Sequence, residues 1–138
     1  MDACVDAWPT LEQEQHRALE IFKDFPAPQL GYTEITKKYA DRDVVRDELT
    51  KLKENWPEFK QKLQRQMYSF EKMQDLFARA GAPSDPSHIG LTRQQLKGMF
   101  PFVQLMRFRY NLLDLAKRGC FYDAIVEPVF AKGGALEL

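Results

Sequence analysis

Thr10-Leu11-Glu12-Gln13-Glu14-Gln15-His16-Arg17-Ala18-Leu19-Glu20-Ile21-Phe22 is the stretch that decides the fold class. Thr10 followed three residues later by Gln13 is a capping box, in which each side chain satisfies an N–H that the first helical turn leaves without a partner. Leu11, Ala18, Leu19 and Phe22 then recur on one face at helical spacing. The pattern predicts a helix over Leu11–Asp24. Pro26 and Pro28 stop it, because neither has an N–H to donate to a helical ladder.

The same signals recur outward from this segment. A short helix is expected near Tyr32–Tyr39. Asp41 or Asp43 caps the next, which reaches Asn55 and carries an Asp47–Lys51 pair at i,i+4. Trp56-Pro57 marks a break, and Pro57 suits the start of a new helix with Phe59, Leu63 and Met67 on one side. Ser69 caps a further helix whose apolar stripe is Phe70, Met73, Leu76, Phe77 and Ala80. Gly81 fits the left-handed turn at its end. Ala82–Gly90 is a Pro- and Ser-rich loop. Thr92 with Gln95 forms a second capping box, and its helix runs to Met106 with a bend at Pro101. Asn111 with Asp114 caps Leu112–Arg118, and Gly119 ends it. A last helix is expected over Phe121–Phe130, with Phe121, Ile125, Val126 and Val129 facing the core. No run alternates as a strand does. The expected fold is therefore all-α: one domain over residues 1–138, with seven or eight helices and a frayed tail at 132–138.

Composition narrows the function. The chain has 138 residues, 44% hydrophobic and 29% charged, which is a globular balance. Twenty basic residues match twenty acidic ones. A zero net charge argues against nucleic acid as a partner. No apolar stretch approaches the roughly 18 residues that cross a bilayer. Cys4 and Cys120 stand alone, with no CxxC pattern, and read as free thiols of a reducing, cytoplasmic compartment.

Catalytic patterns are missing. No Gly-rich phosphate loop follows a strand. His16 falls on the solvent side of its helix, and His88 lies in the loop, so no metal-ligand spacing emerges. Cys120 has no evident histidine partner. Glu12, Glu14 and Glu20 read as solvated charge. The aromatic residues recur at helical spacing and read as core. No cofactor or metal is expected to be held by this chain alone.

One charged segment stands out. Residues 91–119 hold Arg93, Lys97, Arg107, Arg109, Lys117 and Arg118 against Asp114 alone. This reads as a solvated basic face, or as an anion or docking surface for an acidic neighbour. Continuing the helical wheel past Met106 puts Arg107 inside the apolar arc of Leu96, Met99, Phe100, Val103 and Met106. Arg107 is thus expected to be buried and paired, with Asp114 or a nearby carboxylate or carbonyl as partner, and Arg109 to be more exposed. The alternative is an anion contact made by Arg107 and Arg109 together.

Several motifs, read in order, resemble a known family. They are Asp6-Ala7-Trp8-Pro9-Thr10, Asn55-Trp56-Pro57, Ala80-Gly81-Ala82-Pro83, Ser87-His88-Ile89-Gly90-Leu91-Thr92-Arg93, and Arg107-Phe108-Arg109-Tyr110-Asn111-Leu112-Leu113-Asp114-Leu115 with Gly119. Their succession, over residues 6–130, is similar to the C-terminal helical end of sn-glycerol-1-phosphate dehydrogenases, in the superfamily of iron-containing alcohol dehydrogenases and dehydroquinate synthases. Phe108 stands where that family usually has Asp, and Asn111 where it has Thr. Asn caps a helix as well as Thr does. The missing acid removes one member of any shared ion-pair network.

The resemblance implies a two-domain enzyme. An N-terminal domain would bind NAD(P), a divalent metal such as zinc would sit in the helical domain, and dihydroxyacetone phosphate would be reduced to sn-glycerol 1-phosphate. It transfers no metal ligand or cofactor contact to this chain, which alone would be inactive. Its implied partner is the nucleotide-binding domain, or a second copy through self-association. Two expectations compete with it: a free-standing helical interaction module that kept the fold and lost the enzyme, and an unrelated helical protein such as a regulator.

Overall fold

The computed structural model describes residues 2–138. Among the described residues the chain is all-helical. Its helices are α1 Asp2–Asp6, α2 Leu11–Phe22, α3 Gln29–Lys38, α4 Arg42–Glu54, α5 Trp56–Gln66, α6 Phe70–Ala80, α7 Arg93–Leu105, α8 Leu112–Arg118 and α9 Tyr122–Phe130. Eight of them have seven or more residues; α1 is a single short turn. A 3-10 turn, Pro86–Ile89, sits inside the Pro-rich loop.

The helix boundaries follow local chemistry. Thr10, Thr92 and Asn111 each form a reciprocal capping box with the residue three positions on. Asp41 and Ser69 cap α4 and α6 through their side chains. Gly81 closes α6 in the left-handed conformation, at φ 64°. The break between α4 and α5 falls at Asn55, with Trp56 the first residue of the new helix and Pro57 the second.

α8 ends differently from the expectation. The left-handed residue is Cys120, at φ 56°, not Gly119. Phe121 N donates to Ala116 O at 2.9 Å and Cys120 N to Lys117 O at 3.1 Å, the two bonds of a Schellman turn. Gly119 is needed one position earlier for space, since a Cβ there would lie 2.3 Å from the Phe121 ring.

Two small apolar clusters make the core. Val5, Trp8, Val45 and Leu49 join α1 to α4. Ala18, Phe22, Ile35 and Leu105 join α2, α3 and α7. The α2–α3 crossing is close: a Cβ on Gly31 would lie 2.6 Å from the Phe22 ring. α5 and α6 contribute no buried residue at all.

In residues 132–138, Leu136 N and Leu138 N donate to Val129 O and Phe130 O, and Arg93 donates to Glu137 O. The tail turns back on α9 because backbone donors find the free carbonyls at that helix's end. Cys4 and Cys120 are not free thiols. They form a disulfide across 116 residues of sequence, tying α1 to the end of α8. The two cysteines are remote in sequence, so their approach has no local signal, and the free-thiol basis for a reducing compartment falls away.

The disulfide closes a very long loop. In the chain-entropy picture such a crosslink contributes several kcal/mol. Thiol titration of the native protein is expected to find no reactive thiol, and Cys4→Ser is expected to lower urea stability by about 2–4 kcal/mol. Two titratable thiols in air-oxidised protein, or no loss in Cys4→Ser, would contradict the link.

Candidate functional site

Polar groups occupy the centre of the helical body. Asp114, at N3 of α8, is 4% exposed. Its Oδ2 accepts from Asn111 N at 2.9 Å, completing the capping box. Its Oδ1 accepts from Gln104 Nε2 at 2.7 Å and pairs with Lys38 Nζ at 2.8 Å. The Lys38 side chain is itself 4% exposed, and its ammonium also donates to Gln104 O. One carboxylate thus joins α3, α7 and α8.

The chain of contacts continues toward α2. Gln104 Oε1 accepts from Arg17 Nη2 at 2.8 Å. Arg17 and Lys117 both pair with the buried Glu14. Burial pushes the Glu14 carboxyl up, but the two cations outweigh it and hold it below its ordinary value. Burial, reinforced by the Arg17 charge, pushes the Lys117 ammonium down to about 8. Arg118 binds Glu48 and donates to Lys38 O, bringing in α4. Buried charges of this kind persist only when paired, because desolvation otherwise expels them.

The residues singled out in the sequence do not converge. Asp114 is buried in the spine, but its partner is Lys38, not Arg107. Arg107 and Arg109 are both exposed in the segment after α7, and neither forms an ion pair among the described residues. The expectation of a buried Arg107 fails because α7 ends at Leu105, so the helical wheel does not extend to residue 107. The buried face of α7 also carries Gln104 and Leu105, while Met99, Val103 and Met106 are exposed.

The basic segment is mostly neutralised: Arg93 by Asp85, Lys97 by Glu127, Lys117 by Glu14 and Arg118 by Glu48. Glu14, read as solvated, is buried instead. Its i,i+3 neighbour Arg17 was a visible hint; Lys117, 103 residues away, was not. Lys38 and Gln104 carried no signal, since an exposed pair reads the same in sequence as a buried one. His16 is exposed and His88 Nδ1 accepts from Ser84 N. Among the described residues no cluster of His, Cys, Asp or Glu has the makings of a metal site. No helix there is long and apolar enough to cross a membrane.

The other conspicuous feature is apolar and bare. A groove of 730 Å³ runs between α4–α5 and α8, walled by Leu52, Trp56, Phe59, Leu63, Leu112 and Leu115. Beyond it the α6 stripe is open, with Phe70 55% exposed and Met73 and Phe77 also exposed. A second apolar recess, of 300 Å³, lies at Phe25, Met99, Phe102, Val103 and Met106. The whole chain exposes 9646 Å². A compact monomer of 16.1 kDa exposes about 7,400 Å², so about 2,200 Å² is in excess.

The spine predicts unequal mutant costs. Asp114→Ala strands the Lys38 ammonium, the Gln104 amide and the Asn111 N–H together, and is expected to cost about 3–5 kcal/mol in urea melts. Arg107→Ala is expected to stay within about 0.5 kcal/mol, as exposed positions do. Similar, small losses for both would contradict this placement of the charges.

Set beside known proteins, the chain matches no family model, no curated protein and no solved structure.

Proposed function

We propose that this chain works as a helical domain docked on another protein surface, and that the surface is the nucleotide-binding part of an NAD(P)- and metal-dependent oxidoreductase of the glycerol-1-phosphate dehydrogenase type. The observation that carries the docking half is the bare apolar groove and the unpartnered α5–α6 pair. Exposed apolar patches on monomers are ordinarily a few hundred Å². The excess area here suits an obligate interface, which buries about 1,000–2,500 Å² per partner. The dehydrogenase half rests on the ordered motifs from Asp6 to Phe130 and on nothing in the site geometry. In this reading the partner supplies nicotinamide binding and the metal-dependent hydride transfer, while this chain supplies a rigid helical wall. The expectation of a cytoplasmic location rested on reading Cys4 and Cys120 as free thiols, and their disulfide weighs against it.

The second reading is a free-standing interaction module, favoured by the same groove. The two part company in one experiment. The purified chain is assayed with NADH or NADPH, dihydroxyacetone phosphate and zinc, alone and mixed with the separately expressed remainder of a glycerol-1-phosphate dehydrogenase, which carries the nucleotide-binding domain and the metal ligands. Expected are no turnover alone, turnover in the mixture, and loss of both binding and turnover in Trp56→Asp, which puts a charge in the groove. Turnover by the chain alone, or a mixture that stays inert, would overturn the dehydrogenase reading. A monomer that binds no apolar dye would overturn docking as well.

A further inference from the structure

The Cys4–Cys120 bond belongs to the wall of the apolar groove. Cys4, Gly119 and Phe121 line the groove beside Leu52 of α4 and Leu115 of α8. One wall is α4 with α5, and α1 is anchored to it: Val5 clusters with Val45 and Leu49, and Arg46 pairs with Asp2 and Asp6. The other wall is α8 and the turn that follows it. Neither apolar cluster joins α4 to α8. Among the described residues the one ion pair between those helices is Arg118–Glu48, and Glu48 is exposed. Ion pairs with an exposed partner contribute little. The disulfide is therefore the strong tie across the groove.

Three features suit this bond to opening and closing. Cys120 is exposed, so a thiolate can reach it, while Cys4 is half-buried. Cys120 also holds the left-handed position of the α8 turn, at φ 56°, where glycine is the usual residue. Exposed or strained disulfides are the labile, regulatory ones. Reduction strands no donor, because Cys4 Sγ lies 3.2 Å from Arg118 O, an acceptor for the thiol. Asp114 with Lys38 and Gln104, and Glu14 with Lys117, hold α2, α3, α7 and α8 without the bond, so the helical body outlasts its loss. We propose that the Cys4–Cys120 disulfide is a redox switch on the docking groove: oxidised, it holds the two walls in the docking shape, and reduced by a dithiol, it lets them part. This inference rests on the docking reading and adds its regulation.

The chemistry is thiol–disulfide exchange. A thiolate of the dithiol attacks Cys120 Sγ, the Cys4–Cys120 bond breaks, and Cys4 leaves as a thiolate that takes up a proton. The second thiol of the reductant, as thiolate, attacks its own sulfur in the mixed disulfide and releases Cys120, which takes up the second proton. Two electrons and two protons pass to the protein, and the dithiol ends as a disulfide.

The test compares the intact chain in oxidised and in reduced dithiothreitol, with thiols counted and helix content followed by circular dichroism. Amide hydrogen exchange is the main readout. Reduction is expected to expose two thiols, keep the helix content, and speed exchange about tenfold or more in residues 49–56 and 112–121 but not in α3 or α7. Reoxidation is expected to reverse the change. Cys4→Ser is expected to show the fast exchange with no reductant present. Affinity for the remainder of a glycerol-1-phosphate dehydrogenase is expected to fall about tenfold on reduction, as when the competent shape is populated about a tenth of the time. Equal exchange in the two states, or protection lost along the whole chain, would overturn the switch; the latter would make the bond a plain staple. Equal affinity in both states would overturn the switch and leave docking standing. A groove that responds to reduction with no binding in either state would sink the docking reading alone.

Discussion

The Asp114 carboxylate is the constraint on which the rest of this structure depends. It caps α8 from within, accepts from Gln104 of α7 and neutralises the Lys38 ammonium of α3, all with its side chain nearly closed to solvent. The hydrophobic clusters on either side are small, four residues each at their buried centres. Apolar burial is not directional, and clusters of this size leave helix orientation loosely determined. Hydrogen bonds are directional. Lys38, Gln104 and Asp114 together hold α3, α7 and α8 in one arrangement, and the Arg17–Glu14–Lys117 contacts extend that arrangement to α2.

How much of this could be read from the chain depended on sequence distance. Capping is local, so Thr10, Asp41, Ser69, Thr92 and Asn111 each marked a helix start within a residue of where it lies. The all-α class followed from them. Burial is not local. Glu14 and Arg107 were assigned to the wrong environments for opposite reasons. Glu14 sits on a face that looks polar because its partners Arg17 and Lys117 are polar too. Arg107 was placed by a wheel that assumed a helix two residues longer than the one formed. The Cys4–Cys120 bond joins positions at opposite ends of the chain and left no trace in spacing.

The distribution of apolar residues separates the molecule into two parts. From α1 to α4 and from α7 to α9, helices bury at least one residue each. α5 and α6 bury none, yet their apolar residues keep strict helical spacing. Amphipathic helices draw most of their stability from packing their apolar face, because helices of this length are marginal in water by themselves. Eleven residues each is short for that. A folded α5–α6 with open stripes is therefore easiest to account for as a surface shaped for something that covers it, which is the physical core of the docking proposal.

A double-mutant cycle on Asp114 and Lys38, read by urea denaturation, tests the spine most directly. If the two groups stabilise the fold as a pair, Asp114→Ala and Lys38→Met each cost about 3–5 kcal/mol by stranding the other, and the double variant costs no more than either alone. Strictly additive losses, with a coupling within about 0.5 kcal/mol of zero, would contradict the account.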